Sequence, residues 1–563
     1  DVCSSDLEAN MASLWAATDI AVCRAGAATV AELSALGIPS ILIPLPGAPS
    51  DHQTKNAESL VAVGGAAMLH DVDCTPDGLA ATLEPLIASS VQRHEMGRRA
   101  ASAGRRDAAR RIAEVIVSEW PPRHVHVVGA GGTGMSGVVR YFADVGSRVS
   151  GSDQSDSTTL RSLRPLGRFS VGSNTRDASR ATLVTWSPAV APETDRDIAA
   201  ARGPLINRSD LLATVAQHHS TLAVTGTHGK TTASSMLVHI ARAAQWSPSW
   251  LVGAEIRGAG PNGCHDGDRL ILELDESYGT FEKVIPHGLA VLNIDRDHLD
   301  HYGTYETLAA SFRGVMQRTE GPVVIWSDDV PAATYEGLRV VTVGTTDRAD
   351  YVVDRLELRP EGAVFQLRGA QMSVDISLRV TGLHNVANAA TVAVLAHHLG
   401  ATPSAITTGL ARFPGAPRRY EHRGRLGTTE IIDDFAHLPG EIAATLRTAR
   451  ENGSRELLAV FQPHRYSRTH HLLDEFGASF GDATHVVVTD IYGAGERNDY
   501  GVSGQQVAEA ISAHRERPVT YCHTLADVEA YVRDVAPRFD TVVFLGAGDI
   551  AEVVDALGGP RVD

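Results

Sequence analysis

Thr221-Leu-Ala-Val-Thr-Gly226-Thr-His-Gly229-Lys230-Thr231-Thr232 is the stretch whose reading decides the fold. An apolar, β-branched run enters a turn of small residues, and a helical pattern over 233–244 follows it. Strand, glycine turn and helix in that order make a phosphate cradle: glycines let backbone N–H groups approach, and the helix N-terminus adds further donors. Lys230 is placed to meet a terminal phosphate and the Thr231 hydroxyl to bind Mg²⁺. Gly226, Thr227, His228, Gly229 and Thr232 complete the predicted nucleotide-binding loop. Val224 stands where the common GxxxxGK[ST] pattern requires glycine, so the loop is a variant of that pattern.

Outward from the loop, short β-rich runs alternate with helical patterns. The runs fall at 19–23, 40–44, 124–128, 221–224, 269–274, 289–294, 456–461 and 485–490. That rhythm predicts an α/β protein of parallel sheets, with Rossmann-like domains around a central P-loop domain. A chain of 563 residues is too long for one core. A helical segment predicted over 79–120 ends at Pro121-Pro122, a polar stretch precedes 221, and two prolines and a glycine interrupt the pattern near 413–417. The resulting domains are 1–120, 121–217, 218–412 and 413–563.

A formal charge of −17, spread along the chain, argues against nucleic acid or an anionic membrane as the main partner. The 5 cysteines form no CxxC pair, which points away from a disulfide framework or a zinc knuckle and toward a reducing cytoplasm. No apolar run reaches the ~20 residues needed to span a bilayer, and no signal-peptide pattern opens the chain. Asp1 in place of an initiator Met fits a start inside a longer protein.

Two acidic clusters follow the loop, each after an apolar strand: Glu273-Leu-Asp275-Glu276 and Asp295-Arg-Asp297-His298-Leu-Asp300. In a parallel sheet such strand ends converge on the phosphates, and their oxygens suit Mg²⁺. A second glycine turn, Gly129-Ala-Gly131-Gly132-Thr-Gly134-Met135-Ser136-Gly137, has Asp153 about 20 residues on, the spacing of a dinucleotide fingerprint. A lone glycine fingerprint is weak evidence: a dinucleotide, a UDP group and a ligand-free tight turn are all open to it.

With His384-Asn385-Val-Ala-Asn388, Arg418-Arg419-Tyr420, Asp433-Asp434-Phe-Ala-His437 and Gln462-Pro-His-Arg465-Tyr-Ser-Arg468, these motifs resemble the Mur ligases over about 124–556. Within that family the likeness is to enzymes that couple L-alanine to UDP-N-acetylmuramate. The resemblance implies a first domain holding the UDP-sugar, a central domain holding Mg-ATP and a last domain closing over both. It implies that Lys230, Thr231, Asn385, Asn388, Arg419 and Asp434 serve ATP, and that Thr231, Glu273 and His298 hold Mg²⁺. On the substrate side it implies the Gly129 turn with Asp153, together with His437, Arg465 and Arg468. The implied reaction is attack of the sugar carboxylate on the γ-phosphate, then opening of the acyl phosphate by the amine. Phe435, Leu438 and Tyr278 depart from the family, which usually has Tyr, His and an acid there. These departures keep open other Mur ligases, one that recycles a tripeptide among them, and a nucleotide-binding scaffold without turnover.

Before Pro121 the chain resembles the C-terminal part of the peptidoglycan N-acetylglucosaminyltransferases. Arg24-Ala-Gly26-Ala-Ala-Thr-Val-Ala-Glu32, Gly37-Ile-Pro39 and Asp51-His-Gln53-Thr-Lys-Asn56 carry that likeness. It implies UDP-N-acetylglucosamine as ligand, with Gly26 in the loop, Glu32 on the ribose and Gln53 near the sugar. Because the acceptor-binding half of such an enzyme does not precede Asp1, no transferase activity is expected of this chain alone.

Overall fold

The loop stretch folds as read: strand Ser220–Thr225 runs into the turn, and helix Lys230–Ala243 leaves it. The helix starts at Lys230, three residues before the predicted start, because Gly229 takes a left-handed N-cap conformation (φ 81°). The computed structural model describes residues 11–48, 51–105, 120–276, 280–295, 302–359, 361–494 and 496–558. The predicted metal ligand His298 and the divergent Tyr278 lie outside the described residues. The chain divides into two compact units, Asp1–Trp120 and Pro121–Asp563.

In the first unit, strands Ala21–Cys23, Ser40–Leu42 and Ala66–Met68 pair in parallel in that order. Helices Ala27–Leu36 and His52–Val61 make the crossovers, and Leu33, Leu42 and Leu60 meet in its core. The helix expected over 79–120 is instead two, Pro76–Ala88 and Ser90–Ala103. Ser89 is extended between them and its hydroxyl accepts from Gln92 N, so a serine N-cap restarts the helix. Residues 106–119 lie outside the described part.

Three sheets are described in the second unit. The first, all parallel, has the order Gly167–Val171, Arg148–Asp153, His124–Val128, Leu183–Trp186, Leu205–Asn207. The order in which its strands are added reverses at His124–Val128, which places the Gly129 turn at the crevice where open α/β sheets bind ligands. The second sheet has 10 strands and carries Ser220–Thr225 between Arg269–Glu273 and Gly288–Val291. Helices Lys230–Ala243 and Leu383–His398 pack on it, with Met236, Leu237, Ile240, Val392 and Leu395 fully buried. The last is 6-stranded and orders Glu421–Leu426, Thr429–Asp434, Thr541–Leu545, Leu457–Phe461, His485–Thr489 and Val519–Cys522.

Parallel pairing holds throughout the first sheet and in the centre of the other two, each of which also carries antiparallel strands at a margin. Tyr351–Arg359, Gly362–Gly369 and Ser373–Leu378 form an antiparallel meander, and Glu421–Leu426 is antiparallel to Thr429–Asp434. The meander buries alternate residues, as half-solvated antiparallel strands do, and that period-2 pattern lacks the continuous apolar runs that mark the buried parallel strands.

Candidate active site

The phosphate loop is built by close approach. At Gly226 (φ 145°) an added Cβ would lie 3.1 Å from Asn293 N, and at Gly229 it would lie 2.6 Å from Asn388 Oδ1. Lys230 folds under the loop: its Nζ donates to Gly226 O (2.7 Å) and Thr227 O (3.1 Å) and pairs with Glu276 at 2.8 Å. Burial opposes charge on Lys230, but Glu276 and Asp275 outweigh it and raise the ammonium pKa, so the cation persists. Burial pushes the Glu276 carboxyl up to about 7 against the pull of Lys230. The Thr231 hydroxyl donates to Glu273 Oε1 (3.0 Å), while Glu273 Oε2 accepts from Gly253 N (2.6 Å). Both Glu273 oxygens are therefore aimed by fixed donors. Among the described residues no group of three His, Cys, Asp or Glu converges on a metal point.

Two cavities flank this loop. The larger, about 580 Å³, runs from Gly132, Thr133, Gly134 and Met135 past Thr231, Glu273 and Asp275 to Arg418, Arg419, Phe435 and Arg465. The smaller, about 440 Å³, is walled by His228, Gly229, Thr232, Asn385, Asn388, Asp434 and Glu441. Arg419 borders both. Among the described residues the buried Nδ2 of Asn388 has no hydrogen-bond partner, and an orphan donor on a cavity wall is what a ligand acceptor would satisfy. Asp434 accepts from Tyr420 N and Ala436 N, both at 2.7 Å; burial pushes its carboxyl up to about 6 although Arg419 pulls the other way.

Other predicted site residues shape the walls instead of lining them. Gly129 (φ 75°) and Ala130 donate their N–H groups to Ser152 O at 2.9 and 3.0 Å. Gly131 N donates to Asp153 Oδ2 (2.9 Å), so that carboxylate braces the turn from within. Ser136 donates to Thr133 O and accepts from Asn262 Nδ2 (3.0 Å), tying this turn to the central sheet. Arg465 and Arg468 part company: Arg465 lines the larger cavity, and Arg468 donates to His464 Nδ1 at 3.3 Å. His437 stands edge-on to His464, 5.4 Å between centroids, and burial lowers it to about 4, so the ring is neutral near pH 7. In the first unit Gly26 precedes helix Ala27–Leu36, Glu32 accepts from Trp15 Nε1 (2.7 Å), and Gln53 accepts from Leu45 N (3.0 Å).

Sequence reasoning missed three members of the large cavity. Arg208, first residue of helix Arg208–Gln217, lies against Gly134, where an added Cβ would sit 2.8 Å from its Nη2. Ser187 follows strand Leu183–Trp186. Arg418, beside the predicted Arg419, is held by Asp433 (3.3 Å) and Gly546 O (2.6 Å). Arg208 and Ser187 sit where strands of the first sheet end, a positional signal that could have found them.

Comparison with known proteins accounts for this arrangement. Residues 124–220 match the Mur ligase family catalytic domain, 224–396 the Mur ligase middle domain, and 418–548 the Mur ligase glutamate ligase domain. The UDP-N-acetylmuramate–L-alanine ligase of Bartonella tribocorum is 37% identical over 452 residues, 77% of this chain and 95% of that protein. The chain belongs to the Mur ligase family. The ligase of the same name from Phenylobacterium zucineum is 37% identical over 451 residues, covering 77% of this chain and 94% of its own. Among solved structures, the UDP-N-acetylmuramate-alanine ligase of Thermotoga maritima superposes with a TM-score of 0.67 at 27% identity, over 77% of this chain and 98% of that one. Ahead of this Mur ligase region, residues 3–112 match the glycosyltransferase family 28 C-terminal domain. Among the described residues no helix is long and apolar enough to cross a membrane.

Proposed function

We propose that this Mur ligase uses ATP to join L-alanine to the carboxylate of UDP-N-acetylmuramate, a step of peptidoglycan synthesis in the cytoplasm. The observation that carries the reading is the position of Arg419, which borders both cavities and shares the larger one with Thr231 and Glu273. The smaller cavity, with the orphan Asn388 amide, takes ATP; the larger takes the sugar nucleotide along the Gly132–Met135 turn. Residues 121–217, 218–412 and 413–563 are assigned as the sugar-nucleotide, ATP and closing domains.

The Thr231 hydroxyl and the Glu273 carboxylate present hard oxygen donors on the cavity wall, a donor set that fits Mg²⁺. His298 is assigned to the same ion from the family motif. Mg²⁺, when bound, neutralises phosphate charge. Lys230 exchanges Glu276 for the terminal phosphates, and Arg419, bordering both cavities, is assigned to the γ-phosphate. The sugar carboxylate attacks phosphorus, releasing ADP and leaving an acyl phosphate; the alanine amine attacks the acyl carbon, expels phosphate and loses a proton. Two anions meet in the first step, so charge neutralisation and in-line positioning matter more than a protein nucleophile. Arg465 and the neutral His437 are assigned to the amine side. For Asp1–Trp120 the assignment is a UDP-N-acetylglucosamine fold with Glu32 and Gln53 toward the ligand.

The test is phosphate release with UDP-N-acetylmuramate and ATP, comparing L-alanine, glycine, L-serine and the tripeptide. L-alanine should stimulate most. A chain stimulated by none of them is not a ligase, and one stimulated by the tripeptide alone is the recycling enzyme.

A further inference from the structure

One imidazole joins the phosphate loop to the C-terminal domain. His228 Nδ1 lies 3.3 Å from Glu441 Oε1 and its Nε2 lies 3.4 Å from Asp295 Oδ2, so the ring bridges two carboxylates that line the smaller cavity. Glu441 is the third residue of helix Pro439–Glu451, and its other oxygen accepts from the N–H groups of His437 (3.1 Å) and Leu438 (3.3 Å). Arg419 Nη1 is 3.9 Å from Glu441 Oε1. Capping the helix occupies one carboxylate oxygen; the second faces the other domain.

We infer that Glu441 is a positioning residue, which by gripping His228 across the domain boundary fixes the phosphate loop against the C-terminal domain and closes the ATP cavity. Burial works against charge on both groups, yet hydrogen bonds to Asp295 and Glu441 push His228 up to about 9. The hydrogen bond from His228, against the burial of Glu441, leads in holding that carboxyl well below the usual carboxylate range. The contact is thus charge-assisted and half-sheltered from water, the setting in which such a bond counts most. Through Glu441 the same clamp sets the spacing of Arg419 and the His437 backbone, so closing over ATP also assembles the face on which the acceptor binds.

This inference rests on the ligase reading, and the two fail separately. The experiment is a double-mutant cycle of Glu441→Gln and His228→Asn, reading KM for ATP and KM for UDP-N-acetylmuramate, with thermal midpoints recorded. Gln keeps an acceptor for the helix cap and deletes the charge. Each single variant should raise KM for ATP about tenfold with KM for the sugar nucleotide unmoved, and the double should match the singles within about twofold. Multiplication to about a hundredfold, or a parallel rise for the sugar nucleotide, overturns the clamp. Should Glu441→Gln fail to fold, Asp295→Asn probes the same bridge without touching the cap; an unchanged KM for ATP in both Asp295→Asn and His228→Asn then rejects it. A wild type without alanine-dependent turnover refutes the ligase reading instead, and calorimetric affinities for a non-hydrolysable ATP analogue complete the cycle with the same criteria.

Discussion

At the scale of the residue, Lys230 and Thr231 were legible because a strand, two glycines and a helix leave few other uses for a lysine at that spot. What the lysine does without ligand was not: its pairing with Glu276 at 2.8 Å depends on a neighbouring strand, and no spacing announces it. Lys230→Ala should cut alanine-dependent ADP release by about 10³-fold or more, since the cation is the loop's fixed counter-charge for phosphate. Calorimetry should show UDP-N-acetylmuramate binding nearly intact, because the Gly132–Met135 turn belongs to another sheet. Turnover near the wild-type rate would remove Lys230 from the mechanism. Phe435 was read as a departure from tyrosine with a hydroxyl lost. The ring lies 5.3 Å from the Arg418 guanidinium carbon and 5.1 Å from that of Arg419, so its face does the holding and the hydroxyl is dispensable to it. Phe435→Ala should lower kcat/KM about fivefold, equivalent to ~1 kcal/mol, while Phe435→Tyr stays within about twofold. Equal losses in the two variants would mean that the ring is not what steadies the arginines.

Among elements, eight parallel strands were read from short apolar runs and their ends placed within a few residues, while Val323–Trp326 and Thr541–Leu545, equally buried and parallel, were not named. The meander from Tyr351 to Leu378 escaped notice because its strands are half solvated and its alternation is diluted by charge. Also illegible was how two elements from different domains touch. Helix Thr133–Asp144, which leaves the Gly129 turn, packs on strand Gly263–Cys264 glycine to glycine: a Cβ at Gly263 would lie 2.0 Å from Gly137 O. Asn262 secures the approach by donating to Thr133 O and Ser136 Oγ. Gly263→Ala must push helix and strand apart, and we expect a loss of stability on the order of 2–3 kcal/mol with weaker sugar-nucleotide binding. Gly481→Ala, where nothing lies within 4 Å, is the control and should stay within about 0.5 kcal/mol. Thermal midpoints that move equally in both variants would show that the close approach carries no particular strain.

For the whole molecule, the sequence revealed which segments carry chemistry but not that Arg208, Thr231 and Arg465, more than 250 residues apart at the extremes, share one cavity wall. Such convergence is a property of domain packing, and periodicity reports only on local structure. The same packing tells which part of the chain the ligase needs. Every residue lining either cavity lies within Pro121–Asp563, and so does every segment that matches a Mur ligase domain. The apolar cluster around Leu33, Leu42 and Leu60 belongs to Asp1–Trp120, while the clusters around Leu237 and Phe461 belong to the second unit. A unit with its own core and its own site can fold and work alone. A chain beginning at Pro121 should therefore keep alanine-dependent phosphate release with kcat/KM within about twofold of the full chain. Its thermal midpoint, followed in the presence of ATP and UDP-N-acetylmuramate, should rise as the full chain's does, since binding stabilises only the unit that binds. A tenfold loss of kcat/KM with the fold intact would mean that the first unit, which matches the glycosyltransferase family 28 C-terminal domain, supports ligase catalysis, and the two units would have to be treated as one enzyme.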